Sequence, residues 1–206
     1  MLVRDRMISP RERIKEDTPI KSVVEAFEIS ASPWLPVTDQ EGQLLGTITP
    51  SRIRKAKDIL ANDGSAAEKM CARDLMKTEY LFVTEKTPIE EAVRMIVDFD
   101  ISELPVLKDG IFTGIITKNE MLRVIMEITG ARRQGLRVMV RMENTNGQLL
   151  NLLEMIRDQH GTVEGLGTYC APENTYLNVT MRVDGIEKYT LKQGIKNLGY
   201  TVIDIQ

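Results

Sequence analysis

One stretch occurs twice and constrains everything else in the chain. Gly114-Ile115-Ile116-Thr117-Lys118-Asn119-Glu120-Met121 repeats the order of Gly46-Thr47-Ile48-Thr49-Pro50-Ser51-Arg52-Ile53, a glycine, a β-branched run, a threonine and a helix start, 68 residues apart (117 − 49). The likeness runs further back. Arg4-Asp5, Met7, Thr18-Pro19-Ile20 and Leu35-Pro36-Val37 recur as Arg73-Asp74, Met76, Thr87-Pro88-Ile89 and Leu104-Pro105-Val106, at 69 residues (88 − 19). The offset falls by one across the turn, where Asp39-Gln40-Glu41-Gly42 faces the shorter Lys108-Asp109-Gly110. A deletion costs least in a turn, so two duplicated units precede a third segment of different pattern.

Each unit reads as helix, strand, turn, strand, helix. Thr18-Pro19 and Thr87-Pro88-Ile89-Glu90 are expected to open helices, the threonine capping and the proline standing first in the helix. Val23, Val24 and Phe27, and then Ile89, Ala92, Val93 and Ile96, keep the spacing of a buried helical face. Extended segments lead from Leu35 and Leu104 through the turns to Leu44–Ile48 and Ile111–Ile116. Thr49-Pro50 and the capping box Thr117-Lys118-Asn119-Glu120 start the second helices.

Gly130-Ala131-Arg132-Arg133-Gln134-Gly135 reads as a linker. After it Leu136, Val138, Val140 and Met142 alternate with polar residues, as in a half-buried strand. Gly147 precedes a helix carrying Leu149, Leu152, Leu153 and Ile156, with Gly161 expected to stop it. Two strands around Pro172-Glu173-Asn174, a helix from Ile186 to Leu198 and a last strand complete a βαββαβ order, which is ferredoxin-like. The expected fold class is therefore α+β, with domains at 1–64, 65–130 and 131–206.

Several function classes are disfavoured. A net charge of −3 over 206 residues shows no basic stripe for nucleic acid. No apolar run reaches the roughly 18 residues of a membrane span, so a cytoplasmic location is expected. Cys71 and Cys170 stand far apart and read as buried apolar fillers. With His160 the single histidine, neither a zinc cluster nor a Ser/His/Asp set can be assembled, and Gly165-Leu166-Gly167 lacks the third glycine of a dinucleotide fingerprint. A non-enzymatic protein without metal or cofactor is expected, and His160 is read as a residue of a helix C-terminus.

The tandem units, with Leu-Pro-Val before a turn and Gly-hydrophobic-hydrophobic-Thr before a helix, resemble a pair of cystathionine-β-synthase (CBS) domains. The βαββαβ tail, with Asn144-Thr145-Asn146-Gly147 after its first strand, resembles an ACT domain, and the combination is similar to the acetoin-utilization protein AcuB family. The resemblance implies an adenine nucleotide such as AMP, ADP or ATP in the cleft of the CBS pair, with Thr117, Lys118, Glu120, Leu104 and Pro105 of the second unit and Thr49, Arg52, Leu35 and Pro36 of the first around it. The family pattern puts an acidic residue three places after the threonine, to accept from the ribose hydroxyls. That place holds Glu120 in one unit and Arg52 in the other, and a guanidinium accepts no hydrogen bond. One dominant site on Thr117 and Glu120 is the expectation, although a helix cap alone also accounts for that pair.

In the tail, Asn144, Asn146 and Gly147 are the candidate amino-acid-binding residues. Met142 stands where serine-binding relatives carry a histidine, and turn chemistry equally accounts for the loop. The resemblance implies a regulatory sensor linked to acetoin or central carbon metabolism, acting on an unidentified regulated protein. The alternatives are a ligand-free dimerisation or interaction scaffold and an amino-acid sensor. Apolar helical residues Met121, Ile125 and Ile128 make a homodimer the expected assembly.

Overall fold

The computed structural model describes every residue except 10, 11, 31–33, 171 and 174. The chain parts into two compact units, Met1–Met121 and Leu122–Gln206. The first holds both repeats as far as Met121.

The first repeat contains a short 3-10 helix (Val3–Asp5), β1 (Ile14–Lys15), α1 (Ile20–Ile29), β2 (Leu35–Thr38), β3 (Leu44–Ile48) and α2 (Pro50–Asn62). After α3 (Gly64–Ala67), the second repeats this as α4 (Ala72–Leu75), β4 (Val83–Thr84), α5 (Ile89–Asp98), β5 (Glu103–Lys108), β6 (Ile111–Thr117) and α6 (Lys118–Ile128). Each repeat builds a three-stranded sheet, β1-β2-β3 and β4-β5-β6, with one parallel and one antiparallel pair. The two-residue first strands are too short to show a period in sequence.

The repeats exchange their leading arms. Val3 and Arg4 donate their N–H groups to the carbonyls of Thr87 and Glu85 in the second repeat, and Ala72 and Arg73 donate theirs to Thr18 and Glu16 in the first. Ile8 pairs with Ile115, and Lys77 with Thr47. Asp5 accepts from the N–H of Leu2 and Asp74 from that of Cys71, so the repeated Arg-Asp fixes the same turn in both arms.

This exchange moves the helix starts. Pro19 (ψ 144°) and Pro88 (ψ 142°) are extended and stand outside the helices, which begin at Ile20 and Ile89. Thr18 and Thr87 therefore do not cap them, and the box expected between Thr87 and Glu90 does not hold Thr87 at the helix end. The first helical N–H groups go instead to the carbonyls of Met70 and Met1 in the exchanged arms. Thr87 Oγ1 turns back to accept from the N–H of Thr84. A helix donor satisfied by a distant backbone needs no local cap.

The exchange also accounts for the glycines of the repeated stretch. A Cβ on Gly46 would lie 2.7 Å from the carbonyl oxygen of Lys77, and one on Gly114 3.0 Å from Met7 Sδ and 3.1 Å from the carbonyl of Ile8. Only glycine lets the arm cross the strand this closely.

One core, with Ile20, Val23, Leu35, Val37, Ile48, Ile53 and Leu75, fills the first repeat. Trp34, Leu44, Leu107, Phe112 and Ile115 form another that draws on both repeats, and Trp34 and Phe112 meet as tilted rings 6.1 Å apart.

The second unit is a βαββαβ fold of β7 (Leu136–Glu143), α7 (Gln148–Asp158), β8 (Thr162–Cys170), β9 (Tyr176–Asp184), α8 (Lys188–Asn197) and β10 (Thr201–Ile205). Its antiparallel sheet has the order β10-β7-β9-β8. Val138, Val140 and Met142 alternate into the core with Leu152, Ile156, Leu191 and Ile195 from the helices. Asn174 of the expected turn lies outside the described residues.

α7 ends differently from expectation. His160, not Gly161, takes the left-handed position (φ 60°). The N–H groups of His160 and Gly161 donate to the carbonyls of Arg157 and Ile156, closing a Schellman turn. Gly161 is needed for room: a Cβ there would sit 2.3 Å from Ile186 Cδ1.

Two burial expectations also change. Cys170 is exposed and Cys71 only half-buried, because one ends an outer strand and the other sits at the helix-start turn of an arm. Met121, expected on an uncovered apolar patch, is buried, whereas Ile125 and Ile128 of the same helix are exposed as that patch requires; Met121 shares the inward face with Val124, three residues on.

Candidate functional site

A cavity of about 880 Å3 opens between the repeats of the first unit. The first repeat supplies Trp34 from the start of β2, Thr47 from β3 and Thr49-Pro50 from the start of α2. Lys77 to Leu81, the end of the second arm, forms another side, and Phe99, Ile101, Ser102, Glu103 and Pro105 close it.

Strand alternation decides which side chains face the cavity. Leu35, Leu104 and Val106 are fully buried in the cores, while Trp34, Glu103 and Pro105 line the space. Trp34 and Glu103 hold the same place in the two repeats, 69 residues apart (103 − 34). The duplication has thus set an aromatic ring and a carboxyl on one cavity.

Thr49 stands before α2 with an extended backbone, and Pro50 is the first helical residue. Thr49 Oγ1 lies 3.0 Å from Ser51 Oγ and makes no cap bond; Pro50 has no N–H, and those of Arg52 and Ile53 donate to the Thr49 carbonyl, so the two hydroxyls and the Ser51 N–H are what the helix start offers to an anion. Lys77 adds an exposed ammonium on the same lining. Tyr80 is oriented by a bond from its hydroxyl to the carbonyl of Leu44, and burial pushes its phenol pKa upward. Burial also pushes the Glu103 carboxyl up to about 7.

Of the nucleotide-site residues expected from sequence, Thr49 and Pro105 line this cavity. Thr117 pairs across the strands with Glu103, and its Oγ1 accepts from the N–H of Glu120 at 3.2 Å, the threonine half of the capping box. Lys118 donates its N–H to the Ser102 carbonyl and its Nζ to Asp100. Thr117, Lys118 and Glu120 therefore flank the lining without belonging to it, and Arg52 lies in the first turn of α2, also outside the lining. In the matching place across the repeat, positions 32 and 33, which correspond to Ile101 and Ser102, lie outside the described residues. Leu35 and Pro36 back the first sheet, both buried.

Sequence reasoning missed Trp34, Tyr80, Phe99 and Glu103. The repeat offset would have found two of them, since an aromatic and an acid alternate at one position just ahead of Leu-Pro-Val.

In the second unit, Asn144, Asn146 and Gly147 are exposed together in the β7–α7 loop, where Gly147 takes a left-handed backbone (φ 86°). Asn144 donates its N–H to the carbonyl of Thr175, and its side-chain amide lies 3.8 Å from Cys170 Sγ.

The family model described as CBS domain matches residues 3–58 and 72–127, one match on each repeat. The chain belongs to the CBS-domain family. A CBS domain-containing protein of Dictyostelium discoideum is 26% identical over 135 residues, covering 62% of this chain and 93% of that protein. An A-adding tRNA nucleotidyltransferase of Aquifex aeolicus is 24% identical over 125 residues, which make up 14% of that enzyme. Among solved structures, CBSX2 in complex with AMP is 27% identical, with a TM-score of 0.53 over 62% of this chain and 97% of that one. A structure described as a putative acetoin utilization protein (AcuB) from Vibrio cholerae, 20% identical, shares the fold with a TM-score of 0.51 over 64% of this chain and 95% of its own. No helix among the described residues is long and apolar enough to cross a membrane.

Proposed function

We propose that this CBS pair is a regulatory sensor whose ligand is an adenine nucleotide, seated in the cavity between the repeats. The observation that carries the reading is the cavity's two-sided chemistry: Trp34, Phe99, Ile101 and Pro105 give flat apolar walls, and the α2 N-terminus with Thr49 and Lys77 gives a place for phosphate. The AMP held by the related CBSX2 supports the same ligand class. Thr117 and Glu120 supply the hydroxyl and acceptor of a matching site in the second repeat.

In this reading the protein acts as a sensor, without catalysis of its own. It works in the cytoplasm as a homodimer and controls a partner protein; the link to acetoin or central carbon metabolism rests on the family resemblance. The βαββαβ unit serves as an ACT-like domain that either senses a second small molecule, with Asn144, Asn146 and Gly147 as the candidate amino-acid-binding residues, or holds the dimer together.

A thermal-shift panel of AMP, ADP, ATP, S-adenosylmethionine and common amino acids tests this directly. Adenine nucleotides are expected to raise the melting temperature in a saturable way. No shift with any of them would leave the scaffold reading, in which the CBS pair only joins copies or partners.

A further inference from the structure

Glu103 is 8% exposed and its side chain makes no hydrogen bond or ion pair among the described residues, yet it lines a cavity walled largely by Trp34, Tyr80, Phe99, Ile101 and Pro105. A largely buried carboxyl without a protein partner is costly in its charged form, and the Glu103 oxygens open onto the cavity, where a ligand can meet them. The other titratable groups on this lining are Lys77, Glu79 and Tyr80. Lys77 and Glu79 are exposed, and the Tyr80 hydroxyl is already committed to the Leu44 carbonyl. Glu103 is therefore the group on the lining that changes charge near neutrality, burial having lifted its carboxyl to about 7.

Charge then assigns the ligand's two ends. Phosphate is drawn to the α2 N-terminus and Lys77 and repelled by a carboxylate. The uncharged ring is left for Glu103. Resting on the adenine reading above, we propose that Glu103 determines base specificity, its protonated carboxyl donating to an acceptor nitrogen of the adenine ring and accepting from the exocyclic amine, while Trp34 supports the ring face.

A neutral carboxyl offers one donor and one acceptor side by side, as a glutamine amide does. Adenine presents the complementary acceptor and donor. A carboxylate offers acceptors alone and suits the adjacent donors of a guanine edge instead. Proton loss from Glu103 thus weakens adenine and favours guanine.

Adenosine is the probe, because it carries no phosphate to titrate over the same range. By calorimetry its affinity is expected to fall roughly tenfold or more between pH 6 and pH 8.5 as the free-state carboxyl ionises, while guanosine affinity rises. Glu103→Gln should remove the slope and bind adenosine more tightly than the wild type at pH 8.5. Glu103→Ala should bind weakly at both. Adenosine binding that is flat with pH in the wild type, or a slope that persists in Glu103→Gln, overturns the assignment and leaves the nucleotide reading standing. Should Glu103→Gln fail to fold, guanosine and adenosine affinities that move together in the wild type overturn it equally. No binding of adenosine or AMP at any pH overturns both.

Discussion

Glu103 carries a consequence for the fold that is independent of any ligand. Its pKa in the folded chain, about 7, lies above the ordinary 4.5, so between those values the folded state holds a proton that the unfolded state has released. The associated stability is fully present below pH 4.5 and is lost as pH rises through 7. Glu103→Gln should match the wild type near pH 4.5 and exceed it by roughly 1–3 kcal/mol at pH 8, since each tenfold difference in proton affinity between the two states corresponds to about 1.4 kcal/mol. Denaturant titrations at the two pH values check this; a difference of the opposite sign would mean the carboxylate is stabilised when folded. Gly46 makes a second residue-scale test. Gly46→Ala pushes a methyl to 2.7 Å from the Lys77 carbonyl and should destabilise by about 1–3 kcal/mol, seen as a lower denaturation midpoint. Substitution at the exposed Gly110, where an added Cβ meets nothing, would suffer only the strain of its left-handed φ of 83°.

At the scale of elements, helix starts depend on what lies across the fold as much as on local sequence. Thr117 caps as its position predicts, and Thr117→Ala should cost about 1 kcal/mol of stability, measurable by chemical denaturation. Thr18 and Thr87 look equally good in sequence and do not cap, because Met70 and Met1 reach in from the other repeat's arm. Repeat offset, strand pairs and turns were legible, since period and turn chemistry are local signals. Arm exchange was not, because it joins residues such as Val3 and Thr87 that are far apart in the chain. The cavity was half legible for the same reason. Thr49 and Pro105 stand in recognisable motifs, whereas Phe99 and Tyr80 reach it through tertiary placement alone. His160 shows the converse, a local rule applied one residue late: glycine is the usual left-handed terminator, yet here Ile186 claims the space beside Gly161, and histidine bears the positive φ. His160→Gly should therefore stabilise α7 by up to about 1 kcal/mol, read from a raised melting temperature.

At the scale of the whole molecule, the exchanged arms make the two repeats one folding unit. The N–H of Ile89 at the head of α5 depends on the carbonyl of Met1, and β6 pairs at Ile115 with Ile8. Removing residues 1–8 should expose the second repeat, speeding hydrogen exchange at Ile89 and Ile115 although neither is deleted, while the hairpin of β2 and β3 changes less. Ligand acts on the same linkage from the other side. On the proposed reading, an adenine nucleotide lodged between Thr49 of one repeat and Pro105 of the other would bind the assembled pair alone, and at about 100 times its dissociation constant would contribute roughly 2.7 kcal/mol. Protection should then rise together in α2 and β5, elements from different repeats. Whether occupancy is handed on depends on a difference in affinity between two arrangements of the chain, since a ligand that binds both equally shifts nothing. A sensor with an output should therefore show slowed exchange in the βαββαβ unit as well, at β7 and α7, under saturating nucleotide. Protection confined to residues before 122 would mean that the CBS pair registers its ligand without passing that state to the C-terminal unit, and any output would have to be read from the first unit's own surface.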